Sequence, residues 1–270
     1  MDKSHLFVSL GKQNNRFEET VRKWKGAAGE FDFVNHIECI RTIPGYYKVI
    51  NSVLLPYGSV KTEIDIVFIH SKTIMCIEFK NLSGWIFGNE DQRNWTQTFK
   101  NGDKYHFYNP ILQNESHREA LASLLRTEPD NIDSLVVFAN KCTLKDVTSR
   151  RVAVIKSGEF EQYINSFLQS REDRFTEKNI NAVYELLKMY VPSRREMNEH
   201  RDRVKKYREG NQCPSCSRQL ELKNRKCSDG KTLYYFQCMN CGFNREATFL
   251  EVMEFGTEED KIWAWKNLIK

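Results

Sequence analysis

Residues 64–80 read IDIVFIHSKTIMCIEFK, and how this stretch divides decides the fold. Segments 64–70 and 73–80 are rich in β-branched and apolar side chains, with only Ser71 and Lys72 between them. That pattern predicts a β-hairpin with a two-residue turn. With the turn centred on that pair, Asp65 lies opposite Glu78, and Glu63 opposite Lys80. Side chains alternate along a strand, so three carboxylates and one amine gather on one face, at one end. The other face carries Ile64, Ile66, Phe68, Met75, Ile77 and Phe79. The hairpin is therefore expected to be buried on that apolar side and to present its charged side.

Gathered carboxylates are costly to bury unless a cation neutralises them. Mg²⁺ prefers such hard oxygen ligands and keeps several waters. A metal held there can polarise a phosphoryl oxygen and activate water, while Lys80 stabilises the transition state. A surface ladder of Glu63 and Lys80 with Asp65 solvated is the structural alternative.

The flanking sequence alternates helices and strands. Residues 16–40 read as a helix loosened by Gly26 and Gly29, and 46–55 as a strand closed by a turn at 56–59. The stretch 82–108, with Gly84, Gly88 and Gly102, predicts short strands and turns. Asn109-Pro110 opens a helix reaching about Arg126. The apolar runs 134–139 and 152–156 predict strands buried on both faces, and 158–170 and 176–190 predict helices. Trp85 and Trp95 read as packing residues. This order predicts an α/β fold with a mixed sheet flanked by helices.

Eight cysteines are present, and Cys213, Cys216, Cys227, Cys238 and Cys241 crowd the C-terminal part. Cys213-Pro-Ser-Cys216 and Cys238-Met-Asn-Cys241 are two knuckles that could present four thiolates to a structural Zn²⁺. With four cysteines no position stays open for water, so the ion holds the fold and does no chemistry. Cys227 precedes a turn signal, Ser228-Asp229-Gly230, and is expected off the metal. Tyr234, Tyr235, Phe236 and Phe243 could stack on bases, but a module this small needs them as its core. The pattern resembles the four-cysteine zinc ribbons at the C-terminus of bacterial type IA topoisomerases.

The net charge of the 270-residue chain is +5. Residues 193–245 hold 13 basic and 6 acidic side chains, so the basic surplus sits around the cysteines, where a phosphate backbone could be held. No apolar run is long enough to span a bilayer, and the N-terminus has no small-residue cleavage site, so a cytoplasmic protein with no membrane partner is expected. The absence of a G-x-S-x-G elbow disfavours a serine hydrolase, and without a P-loop ATP-driven translocation is not encoded here.

Further motifs occur in a fixed order. They are Gly26-Ala-Ala-Gly29-Glu30, Ile64-Asp65-Ile66-Val67, Ile77-Glu78-Phe79-Lys80-Asn81, Gly84-Trp85-Ile86-Phe87-Gly88, Trp95, and Asn109-Pro110-Ile111-Leu112-Gln113 with His117. Together they closely resemble the nuclease-related domain (NERD) family over roughly residues 20–130. That family is assigned to the PD-(D/E)xK restriction-endonuclease-like superfamily. The resemblance implies a restriction-endonuclease-like mixed sheet flanked by helices, and a site that needs Mg²⁺ or Mn²⁺. It implies that Asp65 and Glu78 bind the metal and that Lys80 is the catalytic lysine. Glu30 would be a further acidic ligand or water-orienting base, and Gln113 would approach the metal or the scissile phosphate. His117 shares Gln113's helix face and reads as structural.

The expected organisation is a nuclease-like domain over 1–192, a charged linker over 193–210, a zinc ribbon over 211–250 and a tail helix over 251–270. The expected activity is hydrolysis of DNA phosphodiester bonds, in DNA processing or defence against foreign DNA. A homodimer or a defence-system partner is compatible with it. The competing reading is a non-catalytic nucleic-acid-binding or adaptor module on the same fold.

Overall fold

The computed structural model describes residues 28–57, 60–210, 212–213, 220–226, 232–247, 252 and 257. The chain divides into two compact units, residues 1–55 with 62–191, and residues 56–61 with 192–270. Among the described residues, no helix is long and apolar enough to cross a membrane.

The first unit opens with helix α1 (28–39). Three strands follow, β1 (Tyr47–Tyr57), β2 (Val60–His70) and β3 (Thr73–Lys80). Next come β4 (Gly84–Asn89), β5 (Asn94–Thr98), β6 (Lys104–Tyr108) and helix α2 (Pro110–Leu125). The remainder is β7 (Asp133–Phe138), β8 (Cys142–Thr148), β9 (Ala153–Lys156), α3 (Phe160–Gln169) and α4 (Glu177–Lys188). These strands make two sheets, one ordered β1-β2-β3-β7-β9 and the other β6-β5-β4-β8. Both are mixed: β2–β3 is antiparallel, whereas β3–β7, β7–β9 and β4–β8 are parallel.

The hairpin forms with the expected turn, and its ladder keeps the expected register near the turn but ends before Asp65 and Glu63. Its pairs run from Ile66↔Ile77 to His70↔Thr73. The expected one-sided burial is corrected. Val67, Ile69, Ile74 and Cys76, on the charged side, are as buried as Ile66, Phe68, Met75 and Ile77 opposite. The reason is position: β3 is the central strand of its sheet, flanked by β2 and β7. Helices cover both faces. Phe33, Val34 and Ile37 of α1 and Phe160, Ile164 and Leu168 of α3 pack on the Phe68 side. On the opposite face Ile111 of α2 meets Val136 and Phe138 of β7 and, from the second sheet, Ile86 and Trp95. At the carboxylate end Glu78 is buried, whereas Glu63, Asp65 and Lys80 are half-buried.

Helix α2 starts where Asn109-Pro110 predicts. The Asn109 side chain accepts from the Ile111 N–H, and proline stands in the first turn. Its amide also donates to the carbonyls of Asn89, Glu90 and Gln92, which locks the helix start to the β4–β5 turn. Trp95 is core, stacked on Phe138 with ring planes 2° apart and its indole N–H on Asn89 O at 2.9 Å. Strand β7 is buried as expected, but β9 is half-exposed because it is the sheet's edge.

The second unit contains helix α5 (Arg194–Gly210) and a three-stranded sheet of β10 (Glu221–Lys226), β11 (Thr232–Gln237) and β12 (Asn244–Glu246). Tyr234 and Phe236 of β11 point into small cores, while Tyr235 is half-exposed with the Arg225 guanidinium over its ring. The expected tail helix and Cys216 and Cys227 lie outside the described residues, except Val252 and Thr257 of the tail.

Candidate active site and cysteine cluster

Asp65, the Glu78–Lys80 pair and Gln113 are each placed by a different backbone feature. The ladder between β2 and β3 runs up to Ile66↔Ile77. One residue beyond it, the Asp65 side chain takes over: its Oδ2 accepts the Phe79 N–H at 2.9 Å. This turns the carboxylate toward β3, beside Glu78. Glu78 sits two residues before Lys80, so both side chains leave the same face of the strand. Lys80 Nζ donates to Glu78 Oε1 at 2.5 Å and to Gln113 Oε1 at 2.9 Å. Gln113 is delivered by the first turn of α2, which the Asn109 cap fixes.

Glu30, on α1, is close enough for its charge to act on Asp65. The reason for the preceding glycine is now visible. A Cβ at Gly29 would collide with the Asn81 side chain, so only glycine lets α1 approach the residue after Lys80 this closely. The sequence reading, in which Gly29 loosens the helix, is replaced by this close approach. Gly29→Ala is expected to force Asn81 aside, to lower the melting temperature and to weaken any activity at this site. Differential scanning fluorimetry checks the first effect and a turnover assay the second.

The electrostatics of the cluster are unbalanced. Burial, then the Glu78 charge, then the Glu30 charge push the Asp65 carboxyl well above its ordinary range. The Lys80 ammonium and the Phe79 N–H pull it back only in part. Three carboxylates thus face one ammonium. Asp65 and Glu78, with Glu30 within electrostatic reach, offer hard oxygens of the kind a small divalent cation such as Mg²⁺ or Mn²⁺ takes.

Two residues that read as ordinary helix positions belong to this neighbourhood. Asn114 is fully buried and donates to Cys76 O at 3.0 Å, Ser134 Oγ at 2.8 Å and Leu135 O at 3.3 Å, tying α2 to β3 and β7. His117 is buried with its Nδ1 3.4 Å from Glu78 Oε2. Burial pushes its pKa down, against the upward pull of Glu78. Nothing local in the sequence marks either role, since both depend on strands at least twenty residues away.

In the second unit Cys213, Cys238 and Cys241 converge, their sulfurs all within 4.8 Å of one another and Cys213 Sγ 3.4 Å from Cys241 Sγ. The second knuckle closes on itself: Gly242 N–H donates to Cys238 O at 2.9 Å and Cys238 N–H to Phe243 O at 2.7 Å. Gly242 has φ 76°, a conformation that suits glycine. Bonds of about 2.3 Å from a tetrahedral Zn²⁺ set its sulfurs roughly 3.8 Å apart. Three thiols at this spacing therefore fit such an ion. Cys216 falls outside the described residues.

The mixed α/β fold, with mixed sheets flanked by helices, is that of a nuclease-like protein. The family model "Nuclease-related domain" matches residues 25–139. An uncharacterized protein of Bacillus anthracis is 31% identical over 183 residues, which cover 66% of this chain and 82% of that one. The chain belongs to the nuclease-related domain family. No solved structure matches it.

Proposed function

We propose that the protein is a divalent-metal-dependent nuclease that hydrolyses DNA phosphodiester bonds. The observation that carries this reading is the convergence of Asp65, Glu78 and Lys80 at one end of the hairpin, with Glu30 and Gln113 brought to it from two separate helices. A protein that only binds nucleic acid gains nothing by turning carboxylates toward phosphates.

Asp65 and Glu78 would hold Mg²⁺ or Mn²⁺, which when bound neutralises phosphate charge and makes water a stronger acid. Lys80 carries three N–H donors. Two meet Glu78 and Gln113, and the third serves the charge that develops on a non-bridging phosphoryl oxygen, or orients the attacking water. Gln113 acts through Lys80, fixing the direction of that ammonium. Glu30 orients water or adds a further carboxylate to the metal.

In the same reading residues 1–192 are the nuclease part, 193–210 a charged linker, 211–250 a ribbon and 251–270 a tail helix. Cys213, Cys216, Cys238 and Cys241 hold a structural Zn²⁺, and the basic surplus of 193–245 holds the DNA backbone. The setting is the cytoplasm, in DNA processing or defence against foreign DNA, with room for a homodimer or a defence-system partner.

Lys80→Gln tests the division of labour. Cleavage is expected to fall about 100-fold or more, the usual loss when one transition-state donor is removed. Mn²⁺ binding, followed by electron paramagnetic resonance, is expected to persist. Unchanged cleavage would remove Lys80 from the chemistry.

A further inference from the structure

We infer that His117 is a positioning residue that fixes the orientation of the Glu78 carboxylate through its ring Nδ1. The inference rests on the nuclease reading of the same site and adds a residue to it. Glu78 has two oxygens with different surroundings. Its Oε1 accepts from Lys80. Its Oε2 is buried without a hydrogen-bond partner, and the polar atom facing it, His117 Nδ1 at 3.4 Å, is buried without one too. The two side chains are 1% and 3% exposed, so bulk water does not serve either atom. A buried anionic oxygen and a buried ring nitrogen are each costly to leave unsatisfied, and here each is the other's nearest remedy.

The helix carrying His117 is fixed by its neighbours. Gln113, one turn earlier, accepts from Lys80, and Asn114 is bonded to the carbonyls of Cys76 and Leu135. His117 is therefore presented to Glu78 by a helix already bonded to Glu78's own strand. With its proton on Nδ1, the imidazole donates to Oε2 after a small rotation of the carboxylate. Closing the gap to about 2.9 Å makes an ordinary hydrogen bond. The carboxylate is then held from both sides, and the remaining lone pair of Oε1 keeps one direction toward a cation. Partners of this kind set the orientation of metal-ligating carboxylates, and losing one typically weakens metal binding about 10–100-fold.

The experiment is Mn²⁺ titration of the full-length protein by electron paramagnetic resonance, with melting temperatures measured in parallel. Asp65→Ala/Glu78→Ala identifies the signal that belongs to this site. His117→Asn places an amide donor where Nδ1 stands and is expected to bind Mn²⁺ within a few-fold of the native chain. His117→Gln and His117→Leu lack a donor at that position and are expected to bind about 10–100-fold more weakly. Comparing Asn with Gln keeps the test valid if the Leu variant fails to fold, because both substitutions are polar. A folded Gln or Leu variant with native Mn²⁺ affinity would overturn the inference, as would an Asn variant no better than Gln. A native chain that binds no Mn²⁺ would overturn the metal site itself, and the role of His117 with it.

Discussion

Replacing Asp65 with Asn is expected to raise the melting temperature of the metal-free protein while removing its cleavage activity. The two effects share one cause. Asp65 is pressed upward in pKa by burial and by the charges of Glu78 and Glu30. A carboxyl whose folded-state pKa exceeds its unfolded one contributes most to stability at acid pH, and that contribution is lost as pH rises through the folded value. At neutral pH without a cation, Asp65 therefore works against the fold, because it must either ionise in place or take up a proton that the unfolded chain does not need. An amide is neutral, nearly isosteric, and can still accept the Phe79 N–H that Asp65 Oδ2 now takes. A gain of a few degrees is expected at pH 7.5 in EDTA, shrinking toward acid pH where the native carboxyl is protonated. Adding Mg²⁺ or Mn²⁺ reverses the order: the native chain is stabilised by binding and the variant far less. Cleavage is expected to fall roughly 1,000-fold, because the metal contributes several kcal/mol to the transition state. Scanning fluorimetry across pH, with and without metal, checks the first part. A variant less stable than the native chain at every pH would show that Asp65 holds the fold and is not a strained ligand.

The second large effect concerns the cysteine module. Cys213→Ser is expected to reduce bound zinc from one equivalent per chain to near zero and to melt the β10–β12 sheet. Cys213 and Cys238 are buried beside Leu220 and Phe236, and that cluster is small. A core of this size does not fold unaided, whereas a structural Zn²⁺ contributes on the order of 10 kcal/mol or more. The first unit, with its own extensive core, is expected to keep its fold. DNA affinity is expected to drop and to lose part of its salt dependence, since basic residues of this module would no longer be arrayed together. Plasma emission spectrometry, circular dichroism and a salt-dependent binding titration separate these outcomes. A Ser variant with native zinc content would move the ion elsewhere.

Local chemistry made much of this legible. Ser71-Lys72 between two β-branched runs announces the hairpin and its register, and Asn109-Pro110 announces α2, because each signal is short-range. The charged face of the hairpin could be read because alternation is obligatory in a strand. Its depth could not: Val67, Ile69, Ile74 and Cys76 form a continuous apolar set, yet whether a sheet covers one face or two depends on what packs there. The split into two sheets was equally hidden, as was β8, whose mostly exposed, bulge-interrupted pairing with β4 leaves no clean period. The pairing of His117 with Glu78 and the approach of Gly29 to Asn81 are long-range contacts with no local signature. The two Cys-x-x-Cys motifs were visible as spacing alone, and the convergence of Cys213 with Cys238 and Cys241 among the described residues gives part of that spacing physical content.

The most direct test of the nuclease reading is incubation of the purified full-length protein with supercoiled plasmid and with circular single-stranded DNA. Lanes with Mg²⁺, Mn²⁺ and EDTA run beside the Asp65→Ala/Glu78→Ala variant. Metal-dependent cleavage by the native chain, absent in EDTA and in the variant, is the predicted result. Intact DNA with either metal, with native chain and variant binding it equally, would contradict the reading and leave the carboxylate cluster as a structural ladder on a binding module.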